Sequence, residues 1–233
     1  MRVSLCLLVW NELEGCKFDV PQLPSVAFEE VYAVDGGSTD GTVEYLGANG
    51  IAVYPQPTRG LNAAYWHGIN VSSCEAVVFF FPKGTIPVAD LVKFRPLLES
   101  GCHLVIASRN IAGAKNEEDD RVLKPRKWLV LSLAIFAALI WRREGYWVRD
   151  VLHGVRAITV DGFRRMAPSD VGLSIDIETV IGSYRLRLKR AEFPTCETPR
   201  PFGRTHFKIF PTSIKLGKYL WREFWRAGPS GEA

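Results

Sequence analysis

Cysteine is sparse and irregularly placed in this sequence. Its five cysteines, Cys6, Cys16, Cys74, Cys102 and Cys196, are odd in number and form no C-x-x-C pair, which argues against a disulfide framework and against zinc. Long apolar runs are missing too. The fourteen uncharged residues 128–141 fall short of the roughly 20 that a membrane-spanning helix needs. The apolar start, residues 1–10, is too short for a secretory leader and has no small-residue cleavage site. Nor is charge of one sign in great excess. Lys and Arg number 29 against 25 acidic residues, and the net of +4 is too mild to argue for nucleic acid. These absences favour a reducing cytoplasm.

What is present is ordinary globular material: 233 residues, 47% apolar and 23% charged. That length supports one domain, or one domain with a small appendage, and a core that needs no staples. The charge is uneven. Residues 115–120 lean acidic, whereas 124–149 and 185–226 are mostly basic. A basic second half suits an anionic ligand or an anionic membrane surface.

Apolar runs of strand length occur at residues 2–10, 30–34, 51–54, 76–81 and 104–107. Runs apolar on both faces predict buried parallel strands. Helix-like stretches lie between them at 40–48, 61–70 and 89–98, and this order predicts an α/β sheet with right-handed crossovers. Residues 110–124 read as a mobile loop. Residues 128–141, with cations beyond both ends, fit either a core helix or a helix at a membrane interface. Further on, 153–160 and 188–193 read as strands and 175–186 as a helix. Residues 213–226 form a basic amphipathic segment.

The strongest local signal is Asp35-Gly36-Gly37-Ser38-Thr39-Asp40-Gly41-Thr42, which follows one strand and opens a helix. An Asp at the carboxyl end of a strand sits where open α/β sheets bind ligands, and the glycines allow close approach. The first strand ends in a similar polar group, Trp10-Asn11-Glu12. Together with Arg59-Gly60-Leu61-Asn62-Ala63-Ala64, these segments resemble the family 2 glycosyltransferases of GT-A fold. The likeness continues through Ser108-Arg109, the 150–156 stretch with Asp150 and Arg156, Ile175-Asp176-Ile177-Glu178, and Arg200 to Lys208. There it is similar to the dolichyl-phosphate mannose synthase branch. It covers roughly residues 1–210, leaving 211–233 as an amphipathic helix and tail.

The resemblance implies a mainly parallel GT-A sheet flanked by helices, and transfer of a sugar from a nucleotide-diphosphate donor with inversion. It places Trp10, Asn11, Glu12, Asp35, Gly37, Ser38, Arg59 and Asn62 around the nucleotide sugar. It also implies Mg²⁺ or Mn²⁺ held by an Asp-x-Asp after the fourth strand. Here that stretch is Phe81-Pro82-Lys83-Gly84-Thr85, without a carboxylate. Divalent hard cations need oxygen ligands. Lys83 can instead supply one positive charge to the leaving diphosphate. Arg109, Arg126, Arg156, Arg200, Thr205 and Lys208 are further candidates for phosphate or acceptor binding, and Asp150 is the candidate base.

The basic aromatic segments point to a polyprenyl phosphate or membrane-linked glycan as acceptor, at the inner face of the membrane. An alternative is a nucleotide- or sugar-binding protein that kept the fold, lost catalysis with its metal ligands, and acts through a partner. A sugar nucleotidyltransferase fits less well, because residues 11–16 offer no Gly-rich loop with a basic tail.

Overall fold

The computed structural model describes residues 1–202 and 209–226. Seven strands form one sheet in the order β3-β2-β1-β4-β6-β5-β7. They are β1 (Val3–Val9), β2 (Glu30–Asp35), β3 (Ala52–Pro55), β4 (Ala76–Phe80), β5 (Leu104–Ser108), β6 (Arg156–Thr159) and β7 (Arg190–Pro194). All pairings are parallel except those of β6, which runs antiparallel to β4 and β5. Every residue of β1, β4 and β5 is buried. That is the consequence of runs apolar on both faces, which need cover above and below. On one face Leu5, Leu7, Val78 and Phe80 pack with Leu91, Phe94 and Leu98. On the other, Phe79 stacks on Tyr65 at 4.0 Å between ring centroids.

The helices are α1 (Leu13–Asp19), α2 (Thr42–Ala48), α3 (Leu61–Val71), α4 (Phe94–Glu99), α5 (Pro125–Trp141), α6 (Val160–Met166), α7 (Ile175–Arg185) and α8 (Ile209–Arg226). Two were not expected from the sequence. α1 has only seven residues, too few for periodicity to show. α6 begins at Val160, the last residue of the expected strand, because the Thr159 hydroxyl accepts the Gly162 N–H and caps a new helix. The 110–124 stretch, expected to be a mobile loop, is fastened. Glu118 is buried and accepts the Lys127 N–H at the start of α5, while Arg126 pairs with Glu117 and Lys127 with Asp119. An acidic cap at a helix N-terminus satisfies its free donors and complements its dipole.

The chain divides into two compact units, Met1–Gly203 and Arg204–Ala233. The second contains α8, which exposes Trp221, Arg222, Phe224 and Trp225. Among the described residues no helix is long and apolar enough to cross a membrane.

Candidate functional site

The parallel register brings the carboxyl ends of β1, β2 and β4 to one rim of the sheet, with Val9 beside Asp35 and Leu7 beside Phe80. Because β6 is antiparallel, it delivers its amino end there, with Arg156 beside Phe79. Residues 10–12, 35–38, 81–84, 108–109 and 150–156 therefore leave the sheet on the same side.

At the β1–β2 end of the rim, side chains bind backbone. The Asp35 carboxylate accepts N–H bonds from Gly37 at 2.9 Å and Ser38 at 3.0 Å, and the Ser38 hydroxyl at 2.5 Å. Asn11, at φ 52°, donates its N–H to the Ser38 hydroxyl and accepts the Thr39 N–H at its side chain. Asp40 accepts N–H bonds from Leu13 and Thr42. The loop is thus knitted before any ligand arrives. Trp10 is exposed and lies against Gly36, and the exposed Arg59 guanidinium reaches over Gly37. These two side chains and the Gly36-Gly37 backbone form an open shelf.

At the β5–β6 end, charges bind one another. Arg109 grips the fully buried Asp150 with Nε at 2.8 Å and Nη2 at 2.9 Å, and takes Glu197 at 2.9 Å. Burial pushes the Asp150 carboxyl up, but Arg109 pulls it down further, to about 2. His153 is buried with Nδ1 against the Ala107 carbonyl, and burial lowers its pKa to about 3. Arg156 is wholly buried. It binds the Asp176 carboxylate at 3.1 Å, the Asp176 carbonyl at 2.7 Å, the Thr179 hydroxyl at 2.8 Å and the His153 carbonyl.

These contacts correct several readings of the sequence. Asp150 has no exposed oxygen with which to take a proton. Arg156 is a buried counter-ion and not a phosphate ligand. Asn62 is buried, its amide bonded to Ser169 and Glu178 and its carbonyl oxygen to the Ile175 N–H. It fixes α3 to the start of α7. Arg126 is neutralised by Glu117. Thr205 and Lys208 lie outside the described residues.

Lys83 differs from its neighbours. Its ammonium lies 4.8 Å from the centre of the Phe81 ring, and among the described residues no carboxylate lies within ion-pair distance. Burial lowers its pKa, while the field of Glu12 opposes that shift. Beside it, Arg200 is bound to Glu12 and to the Phe202 carbonyl. Asp176, which the sequence places in a family-like stretch but to which it assigns no role, also acts on Lys83 through its field. Its carboxyl is raised by burial and steadied by Arg156 and by the Tyr65 hydroxyl at 3.4 Å. Only its place at the start of α7, close behind Arg156 in the fold, reveals it.

No protein-family model matches the chain. Glycosyltransferase AglJ of Haloferax volcanii is 27% identical over 203 residues, or 86% of this chain, and the chain spans 65% of that relative's length. The crystal structure of glucosyl-3-phosphoglycerate synthase from Mycobacterium tuberculosis superposes with a TM-score of 0.70 at 22% identity, covering 99% of this chain and 82% of that one. The same enzyme in complex with Mn²⁺, UDP and glucosyl-3-phosphoglycerate gives 0.68 at 17% identity, covering 99% and 81%. That complex contains a divalent ion together with UDP. The turn after β4 here does not fit one, because Pro82, Lys83 and Gly84 offer no side-chain oxygen. Among the described residues no group of three His, Cys, Asp or Glu is arranged to hold a metal. In architecture the chain has the GT-A fold, and in sequence it is similar to a glycosyltransferase.

Proposed function

We propose that this protein transfers a sugar from a nucleotide-diphosphate donor to a polyprenyl phosphate or membrane-linked glycan, with inversion, at the inner face of a membrane. The observation that carries the reading is Lys83. It is a half-buried ammonium without a carboxylate partner among the described residues, placed where the fold brings the polar strand ends together. Such a group is ready to accept an anion, and in a partly dry site its charge acts strongly.

In this reading Trp10, Arg59 and the Gly36–Ser38 backbone receive the nucleoside, and Asp35 shapes that backbone. Lys83 holds the diphosphate, with Arg200, itself held by Glu12, beside it. The acceptor oxygen attacks the anomeric carbon from the opposite side, and the carbon–oxygen bond to the diphosphate breaks with its electron pair. A phosphate acceptor is already ionised. A hydroxyl acceptor must in addition lose a proton. The neighbour's complex with UDP-glucose supports a sugar-nucleotide donor. The outer face of α5, with Trp128, Ile135 and Leu139 exposed, supports a membrane-bound acceptor.

The test is turnover of sugar nucleotides, UDP-glucose first, with polyprenyl phosphate in vesicles and in excess EDTA. Transfer that survives EDTA and is abolished by Lys83→Ala supports the proposal. Nucleotide binding without turnover of any donor favours the binding-protein alternative, to which the loss of the metal carboxylates also lends weight.

A further inference from the structure

The turn that carries Lys83 rests on a buried acid. Asp19, the last residue of α1, is 1% exposed, and its Oδ2 accepts the Gly84 N–H at 2.8 Å. Its Oδ1 has no hydrogen-bond partner among the described residues. The contact around it is tight. A Cβ on Gly15, one turn earlier in α1, would stand 2.1 Å from the Pro82 carbonyl oxygen. A Cβ on Gly84, at φ 66°, would stand 3.0 Å from Pro201 and 3.2 Å from Phe18. α1 therefore lies directly on the 82–84 backbone.

We propose that Asp19 is a positioning residue for Lys83, holding the Lys83–Gly84 backbone from below so that the ammonium stays aimed at the rim. The inference rests on the role given to Lys83 above.

A side chain placed there for stability alone would not be an aspartate. Burial disfavours its charge, one oxygen lacks a donor, and the C-terminal end of a helix repels an anion. No cation pairs with it among the described residues. The titratable group that faces it is Cys16 on its own helix, and from the turn it meets the backbone N–H groups of Lys83 and Gly84. None neutralises it. An acid retained against its own stability is the mark of a functional group. What it supplies is a charge-assisted acceptor, stronger than a neutral amide oxygen, for a backbone N–H in a left-handed turn.

Burial raises the Asp19 carboxyl to about 6, although the Gly84 and Lys83 N–H groups oppose the shift. Between 3.8 and about 6 the folded chain holds a proton that the unfolded chain has lost, so stability falls as pH rises through that window. Asp19→Asn should therefore raise the thermal midpoint at neutral pH while loosening the turn.

The experiment is NMR of the full chain, labelled with ¹⁵N and with ¹³C-lysine, with the Lys83 signal assigned by Lys83→Arg. In the wild type, the Gly84 amide and the Lys83 ε-carbon should shift together with a midpoint near 6. In Asp19→Asn both pH-dependent shifts should vanish and the thermal midpoint should rise. A Gly84 amide that does not titrate between about pH 4.5 and 8 overturns the proposal without need of any variant. So does a Lys83 signal that titrates identically in wild type and Asp19→Asn. The readout needs no donor, so failed turnover with an intact Asp19–Lys83 coupling would sink the proposed reaction and leave this inference standing.

Discussion

The two ends of the rim handle polar side chains in opposite ways. At the β1–β2 end, Asp35, Asn11 and Asp40 bond to backbone N–H groups and set the shape of a loop. At the β5–β6 end, Arg109 with Asp150 and Arg156 with Asp176 neutralise each other out of water. The first arrangement leaves an open shelf of glycines and an exposed indole. The second makes a rigid wall. Lys83 stands between them and is cancelled by neither, so the anion-binding capacity of the rim concentrates there. Charge at a strand end is thus no guide to ligand binding until its partners are known.

The largest effect should come from breaking the wall. Arg156→Ala takes the cation from the Asp176 carboxylate and a donor from two carbonyls and a hydroxyl in a dry interior. Removing one partner of a buried pair costs about 3–5 kcal/mol, so urea unfolding should show a loss of that order. A loss below about 1 kcal/mol, the range of exposed pairs, would mean that water reaches the wall and that the contrast between the two ends is false.

The next effect is a pH dependence that only the wall predicts. His153 is held neutral by burial, with its pKa lowered from 6.5 to about 3. Across that window the unfolded chain binds the extra proton, so His153 makes stability fall as pH drops from 6.5 towards 3. Asp150 adds to the loss below 3.8. His153→Gln should flatten the upper part of that decline in a series of unfolding curves. An unchanged slope would place the His153 proton elsewhere.

The sheet was legible in the sequence because β1, β4 and β5 are apolar on both faces, and the strand ends are displaced by at most three residues from the expected ones. The rim was legible as a collection of residue types, since Trp10, Asp35 and Lys83 all follow strands. What sequence did not disclose is which of those side chains consume each other. Asp150, Arg156 and Asn62 sit in motif-like stretches, yet each is saturated by partners 20 to 116 residues away. Asp19 was not marked by any motif, and Asp176 stood in one without a role, for the complementary reason. Each becomes interesting only when a second segment, the Lys83 turn or Arg156, folds against it.

At the shelf the expected effects are smaller. Asn11 is both a hydrogen-bonding side chain and a residue at φ 52°. Asn11→Ala loses the Thr39 bond and strains the backbone, whereas Asn11→Gly loses only the bond. The alanine variant should be less stable than the glycine variant by about 1 kcal/mol. The reverse order would show that the loop does not depend on that left-handed residue, and that Asp35 shapes it alone.

The smallest stability effect belongs to α5, and its smallness is the point. The helix buries Val130, Ala134, Ala137 and Trp141, and turns Trp128, Ile135, Phe136 and Leu139 outward. An outer stripe of large apolar residues contributes little to folding, because those side chains stay in contact with water. Ile135→Ser combined with Leu139→Ser should shift stability by no more than about 0.5 kcal/mol per site, as at other exposed positions. The same double variant should lose most of its co-sedimentation with phosphatidylglycerol vesicles, if Arg142 and Arg143 at the helix end meet the headgroups while the stripe enters the interface. Stability lost without vesicle binding would mean that the stripe packs against protein, and the membrane-bound acceptor would then lose its structural support.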